Sequence, residues 1–510
     1  MHQTNTKPNR DLSKLYLGLT LFLALLLRLY DLGKESYWVD EIFSVTESKQ
    51  SIQQILMSGR LDQPPAYYIP FHYWVRVFGD AEISARAFSV LAGILSIILI
   101  YLIGKKLFST NTGLVSALLM TLSVFQIAYS QEARFYIHFQ LATLCSFLFL
   151  LYGLESKKRV YFFLYVIASI LMLFSHTYGV FILFAQNLFV VLYNKKYRSL
   201  LAIWLTSQAV LALVFGIYLI YIFTNGTTFD SQIASGDFNL NAIDIIRTIY
   251  HQILPARRDR SWAEILPYYL VAFFLLLIGT GIYARGKGTQ KFFSDAKESL
   301  TNIFHANEKL EKIALLSGWL LAPILLPFIV SVTISPMYRE RYAICAAPAL
   351  YLLLAFFISE FRIITPQKIS LAAFVIMSVP GLQYYYTENL KEEWREATAY
   401  VEQNLEEKDL LVFAPSTSYQ IQQRTFHWYY DGSTTDCLLN NDLISNTQKQ
   451  EALTKCLSGH QRFWVISRID SENPQNTYEE FFEDNQNAGL QLMSQKDFVG
   501  ITVYLFDQDN

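Results

Sequence analysis

The chain has 510 residues, 53% hydrophobic and 15% aromatic, which is too apolar for a stack of water-soluble domains and fits a polytopic membrane protein. A formal net charge of −2, with no basic arm or acidic tail, excludes nucleic acid from the expected partners. The first apolar run, Leu15 to Leu32, contains Arg28 and is followed by no small-x-small cleavage signal before Tyr37, so it reads as a retained helix rather than a signal peptide.

Apolar windows of about 17 to 25 residues give eleven predicted spans: 15–32, 84–104, 112–130, 135–153, 160–176, 178–193, 199–223, 266–284, 313–333, 343–359 and 369–386. The pair flanking His176 to Gly179 requires a tight hairpin. With the N-terminus in the cytoplasm, fourteen lysines before residue 387 fall on inner segments and only Lys34 and Lys49 on outer ones. The positive-inside rule therefore sets that orientation. Asp40 and Glu41 then lie outside the cytoplasm, and an odd number of crossings sends the C-terminal tail to the same side. The outer segments nonetheless keep Arg60, Arg76, Arg86, Arg134, Arg247, Arg257, Arg258, Arg260, Arg339 and Arg341. Arginine kept against the topological bias points to a bound anion, because its planar fork matches phosphate. Interfacial snorkelling is the plainer reading of any one of them.

The first outer loop, 33–83, places Tyr37-Trp38-Val39-Asp40-Glu41 just past the first span, and charged groups at a membrane lip are usually functional. Its stretch from Gln63 to Trp74 is aromatic and punctuated by prolines, as suits a short helix in the headgroup zone. The second, 224–265, carries an amphipathic run from Ala242 to Leu254 and then Ala256-Arg257-Arg258-Asp259-Arg260, either a flap over the site or a plain surface helix.

From Thr387 the sequence turns soluble. Trp394 to Leu405 and Tyr478 to Asn485 read as helices, and Leu410 to Ala414, Phe463 to Ser467 and Ile501 to Phe506 as strands of a small α/β domain. It has no glycine-rich phosphate loop, so nucleotide binding is unsupported. Cys145 and Cys345 fall inside spans. Cys437 and Cys456 lie in the outer domain, where they either form a disulfide or remain two thiols.

Three outer patches bear chemistry: Asp40 and Glu41 with Asp62; Ser130-Gln131-Glu132-Ala133-Arg134; and Ser335-Pro336-Met337-Tyr338-Arg339-Glu340-Arg341-Tyr342. His176 and Tyr178 add a fourth point. Carboxylates beside guanidiniums suit transfer from a phosphate-linked donor: a carboxylate takes a proton from the attacking hydroxyl, and arginines balance charge on the departing phosphate. Each group also has a structural reading. Asp40 can be a helix cap worth roughly 1 kcal/mol, although a cap explains neither the aromatic pair before it nor the second carboxylate. Glu132 and Arg134 can be a surface pair, His176 a hydrogen-bonded helix-end residue, and the Tyr and Trp clusters interfacial belts, some of them stacking on sugar rings.

The order Leu26-Leu27-Arg28-Leu29-Tyr30, Tyr37-Trp38-Val39-Asp40-Glu41, Asp62-Gln63-Pro64-Pro65-Ala66-Tyr67-Tyr68, Phe78-Gly79-Asp80 with Ala85-Arg86 resembles the start of GT-C fold glycosyltransferases. It is most similar to the family 39-like branch, related to protein mannosyltransferases and to the aminoarabinose transferase acting on lipid A. Tyr129 to Tyr136, Arg341-Tyr342 with Ala347-Pro348-Ala349, and Trp394-Arg395 resemble that branch's later signatures. The resemblance implies a polytopic α-helical membrane protein of GT-C type with about eleven transmembrane helices over residues 1–386, the active site in loop 33–83, and an extracytoplasmic α/β domain over 387–510. It implies an enzyme of a bacterial-type inner membrane that moves a sugar, by inverting displacement, from a polyprenyl-phosphate carrier to a lipid, glycan or protein acceptor. Asp40 would be the base, with Glu41 beside it. Arg134, Arg339, Arg341 and Arg86 would hold the donor phosphate, and Asp62, Gln63, Glu132, Tyr67, His176 and Tyr178 would shape the cavity. Gln63 stands where several relatives have a histidine or lysine, which removes a cation near the donor and leaves a divalent metal without support. The rival classes are a transporter or flippase of lipid-linked glycans, against which stands the lack of an internal repeat, and a non-catalytic envelope-assembly protein, which leaves the acidic pair unexplained.

Overall fold

The computed structural model describes residues 10–57, 65–225, 240–253, 307–360, 364–416, 421–440, 446–468 and 490–508. They form two compact units, one drawn from 1–30, 48–80 and 84–385, the other from 31–47, 81–83 and 386–510. Residues 31–47, with Asp40 and Glu41, belong to the C-terminal unit, because their polar groups bond to its backbone.

The helical unit runs through α1 (Arg10–Leu29), and after α2 (Val39–Ser48) of the other unit come α3 (Ile52–Leu56), α4 (Tyr68–Phe78), α5 (Glu82–Leu107), α6 (Thr110–Leu122), α7 (Val124–Ser130), α8 (Tyr136–Ser156), α9 (Arg159–Leu173), α10 (Gly179–Leu192), α11 (Asn194–Tyr197), α12 (Leu201–Asn225), α13 (Ala242–Ile253), α14 (Asn307–Thr333), α15 (Ala347–Glu360) and α16 (Ile364–Thr387). Every predicted span falls on helix except 266–284, which lies outside the described residues. Among the described residues six helices are long and apolar enough to cross a membrane, or seven counting the bent pair α6 and α7, while α9 and α10 are shorter apolar helices.

The span predicted over 112–130 is not straight: α6 and α7 meet at 66°. Ser123 causes the break by leaving the helical backbone and accepting the Gln126 amide on its side chain, as an N-cap does. Carbonyls freed at the bend are taken up by Arg28 of α1. Its guanidinium, 0% exposed, donates to Met120 O at 3.2 Å, Thr121 O at 3.3 Å and Ser130 Oγ at 3.1 Å. Gly93 of α5 makes room for this contact, since a Cβ there would stand 2.4 Å from Ser130 Oγ. Deeper in the unit a hydrogen-bonded chain ties four helices together: Ser169 with Ser146 (2.9 Å), Gln186 to Ser146 (3.0 Å), Tyr165 to Gln186 (2.9 Å), Gln208 to Tyr165 (3.2 Å) and Asn187 to Gln208 (2.9 Å). Polar side chains in apolar surroundings are tolerable when paired in this way.

The second unit holds α2, α17 (Trp394–Asn404), α18 (Ile421–Tyr429), α19 (Asn446–Leu457) and strands β1 (Leu410–Ser416), β2 (Thr435–Asn440), β3 (Arg462–Arg468), β4 (Leu490–Phe498) and β5 (Ile501–Gln508). The sheet order is β2-β1-β3-β5-β4, with β1 parallel to β2 and β3 and the β3–β5 and β4–β5 pairs antiparallel. Its central strands are apolar on both faces. One face packs Leu453 and Leu457 of α19, and the other packs Trp394, Ala397 and Val401 of α17 with Phe426 of α18. Cys437 of β2 and Cys456 of α19 are joined by a disulfide across a Cα separation of 5.8 Å. The helix expected over Tyr478–Asn485 lies outside the described residues.

Candidate active site

At the α8 N-terminus and the α9–α10 turn, the helical unit gathers guanidiniums among aromatic rings. Arg134, 5% exposed, stands 4.8 Å over the Phe135 ring and 5.6 Å over that of Tyr136; Arg341, in the 3-10 turn Glu340–Ala346, stands 5.6 Å over Tyr342 and 6.0 Å over Tyr136. His176 is buried among the same rings. Its imidazole packs 4.5 Å from Tyr342 and 5.3 Å from Phe135, and its Nδ1 accepts the Tyr178 amide at 3.1 Å. The nitrogen that accepts carries no proton, so the imidazole does not act there as an acid. The Tyr178 hydroxyl donates to Met337 O at 3.0 Å. In sequence, Glu132 precedes Arg134 by two positions and Glu340 immediately precedes Arg341. Two guanidiniums on aromatic faces make a cradle for a planar or tetrahedral anion.

The turn carrying Arg339 and Arg341 is held by α13. Thr248 bonds the Tyr338 hydroxyl at 2.5 Å, His251 Nδ1 lies 2.6 Å from Glu340 Oε2, and Gln252 Nε2 donates to Ala343 O at 3.0 Å. Burial pushes the Tyr338 phenol up to about 12, so it stays a neutral hydrogen-bonding group. Tyr351 locks the far end by donating to Gln252 O at 2.6 Å. These side chains occupy positions i, i+3 and i+4 of one helix, the stripe that meets a single neighbour. Thus Ala242–Ile253 serves as a brace on the turn, where the sequence left a flap or a surface helix open.

The structure brings Tyr67, Arg134, His176, Tyr178 and Arg341 into one neighbourhood. Tyr67 stacks on Phe71 at 5.0 Å and meets the Phe135 ring at 6.4 Å, while the Ala66 amide donates to Phe174 O at 2.8 Å. Arg86 is buried on α5, two residues before Phe88, whose ring lies 6.0 Å from Tyr67. Arg339 opens the braced turn, and its carbonyl accepts the Tyr342 amide at 3.0 Å. Asp62, Gln63, Arg60, Arg257, Arg258 and Arg260 lie outside the described residues. Among the described residues no three His, Cys, Asp or Glu side chains are placed to hold a metal ion.

The acidic pair belongs to the C-terminal unit. Asp40 is the second residue of α2 and therefore not its cap; it is partly buried, and its carbonyl accepts Ser44 Oγ at 3.0 Å. Glu41 is 0% exposed, with its Oε2 3.1 Å from Lys391 Nζ. Neighbouring helix residues point about 100° apart, so the two acids meet different surroundings. Lys391, Glu340, His251 and Arg28 carry interactions that the sequence reading left without a role. The polar stripe Asp244, Thr248, His251, Gln252 in an otherwise isoleucine-rich helix was the readable signal for the brace.

Comparison with known proteins places this geometry. The sequence model described as dolichyl-phosphate-mannose-protein mannosyltransferase matches residues 62–222. An uncharacterized protein of Aquifex aeolicus (strain VF5) is 29% identical over 195 residues, which is 36% of this chain and spans only 39% of that relative's length. Among solved structures, ArnT from Cupriavidus metallidurans superposes in its apo state with a TM-score of 0.55 (11% identity, 97% of this chain and 98% of that one). The same protein bound to undecaprenyl phosphate gives 0.54 (11% identity, 98% of each chain). The archaeal oligosaccharyltransferase AglB from Archaeoglobus fulgidus, in complex with an inhibitory peptide and a dolichol-phosphate, gives 0.53 (12% identity, 97% of this chain and 74% of that one). This chain is thus a multi-pass membrane protein with the GT-C fold, as the resemblance of its motifs implied.

Proposed function

We propose that the protein is a membrane glycosyltransferase that takes a sugar from a polyprenyl-phosphate carrier and places it on an acceptor at the extracytoplasmic face of a bacterial-type plasma membrane. The observation that carries the reading is the pair Arg134 and Arg341, both set over the Tyr136 ring, on a GT-C scaffold. Two structural neighbours hold a lipid phosphate, undecaprenyl phosphate in ArnT and a dolichol-phosphate in AglB. The lysine asymmetry of the loops supports the orientation.

In this mechanism Asp40 removes the proton from an acceptor hydroxyl as its oxygen attacks the anomeric carbon. The bond from that carbon to the phosphate oxygen breaks, its electron pair stays on the oxygen, and polyprenyl phosphate leaves with the configuration inverted. Arg134 and Arg341 stabilise the charge growing on that phosphate. Tyr342, partly exposed, offers a face on which the sugar stacks.

The test is sugar transfer by the purified full-length protein in lipid nanodiscs, given a panel of polyprenyl-phosphate sugars, with products read by mass spectrometry. Wild type should release polyprenyl phosphate and a glycosylated acceptor, and Asp40→Asn should slow transfer by roughly 10²- to 10⁴-fold. Movement of an intact lipid-linked glycan across vesicles, without transfer, would assign the chain to the transporters instead.

A further inference from the structure

We infer that Lys391 is a positioning residue: by neutralising the buried Glu41 it fixes how α2 is turned, and so where the neighbouring Asp40 points. The inference rests on the reading of Asp40 as the base. It also gives the two adjacent acids separate duties, Asp40 toward substrate and Glu41 toward the protein's own interior.

A carboxylate out of water must be paired or pay a large desolvation penalty. Glu41 is fully buried, with its Oε2 3.1 Å from Lys391 Nζ, and only 16% of the Lys391 side chain is exposed. Rotating α2 about its axis would pull Glu41 from that ammonium, so the ion pair sets the rotation. The chain leading into α2 is fastened to the same stretch of the C-terminal unit. The Glu35 carboxylate accepts the Leu390 amide and, at 3.0 Å, the Lys391 amide; Ser36 Oγ donates to Glu392 O at 2.7 Å. The Tyr37 amide donates to the Tyr429 hydroxyl at 2.7 Å, which itself donates to Glu82 Oε1 at 2.9 Å. Arg395 completes the ring, donating to Glu82 Oε1 at 3.1 Å and to Lys34 O at 2.7 Å. Residues 34 to 41 are thus held at successive points. Lys391 reaches into the first turn of α2, beside Asp40.

The experiment uses full-length protein in nanodiscs and two readouts: sugar transfer, resolved into kcat and KM, and hydrogen exchange of the α2 amides. Lys391→Met takes the ammonium away from the buried Glu41 carboxylate, so the double variant Glu41→Gln/Lys391→Met, which carries neither charge, is measured alongside. Both should lower kcat by roughly 10- to 100-fold with KM for the donor nearly unchanged. Exchange over residues 39–48 should speed up while the strands keep their protection, and Lys391→Arg should recover both readouts. Wild-type kcat and exchange in both variants would overturn the inference, even if Asp40→Asn still abolishes transfer. Exchange accelerated equally throughout the unit would overturn it in favour of general stabilisation. If wild type transfers no sugar, the glycosyltransferase reading fails, and the exchange arm alone decides whether Lys391 orients α2.

Discussion

The Arg341 guanidinium stands 6.0 Å over the ring of Tyr136, a residue that also lies 5.6 Å under Arg134. One buried ring therefore backs both cations. Removing it with Tyr136→Leu forfeits a cation–π contribution of about 0.5–2 kcal/mol, which corresponds to roughly 2- to 30-fold in donor KM by the same measure. Arg134→Lys should cost more than its conserved charge implies, because an ammonium cannot present a fork to a phosphate. KM values from the nanodisc transfer assay check both; an unchanged KM in Arg134→Lys would remove this residue from the phosphate site.

A methyl group at position 93 should do harm where helix propensity alone forecasts benefit. Alanine gains about 1 kcal/mol over glycine in a helix interior, but a Cβ at Gly93 would stand 2.4 Å from Ser130 Oγ and 3.2 Å from Arg28 Nε. Ser130 cannot easily yield, because its hydroxyl also donates to Gln126 O at 2.6 Å. Overpacking of about 1–3 kcal/mol should therefore dominate and lower the thermal midpoint of Gly93→Ala. Gly216→Ala, with nothing within 4 Å of its Cβ, is the control and should be neutral or stabilising. Equal midpoints for the two would refute the packing argument.

Asp409 should make the C-terminal unit sensitive to pH in an unusual direction. Its Oδ2 accepts from Trp464 Nε1 and the Glu406 amide, each at 2.9 Å, and burial, outweighing the Trp464 bond, raises its carboxyl above the ordinary range. A folded-state pKa above the unfolded value gives stabilisation that is complete below the ordinary aspartate range and is lost as pH climbs through the raised value. Asp409→Asn keeps an acceptor for Trp464 and carries no charge. The midpoint difference, wild type minus Asp409→Asn, should fall as pH rises from that range toward neutrality. A difference that grows instead would mean that Arg462, whose Nε is 3.6 Å away, holds the carboxyl low.

The membrane helices were legible because a span must be apolar over its whole length, whatever it packs against. Ala242–Ile253 and Trp394–Asn404 were legible because their polar and apolar faces alternate at helical period. The bend at Ser123 was not, since its hydroxyl also meets Tyr351 and Gln252, which lie 228 and 129 residues away in sequence. Strands β1, β3 and β5 announce themselves as apolar runs. The edge strands β2 and β4 do not: β4 shows solvent a row of polar residues, Gln491, Gln495 and Lys496 among them. In the site, residue types and order singled out Arg134, Arg341 and His176, but adjacency in sequence concealed that Asp40 and Glu41 face different surroundings. That distinction depends on Lys391, some 350 positions away.

The burial of Arg28 has a consequence for biogenesis. Its carbonyl partner at Met120 is encoded 92 residues later, and Ser130 later still, at a separation of 102. The first helix therefore leaves the ribosome carrying a charge that those groups can solvate only once the α6–α7 elbow has been synthesised and inserted. Until then it must wait in a translocation channel or at the lipid headgroups, so a helix made before its partners settles only after them.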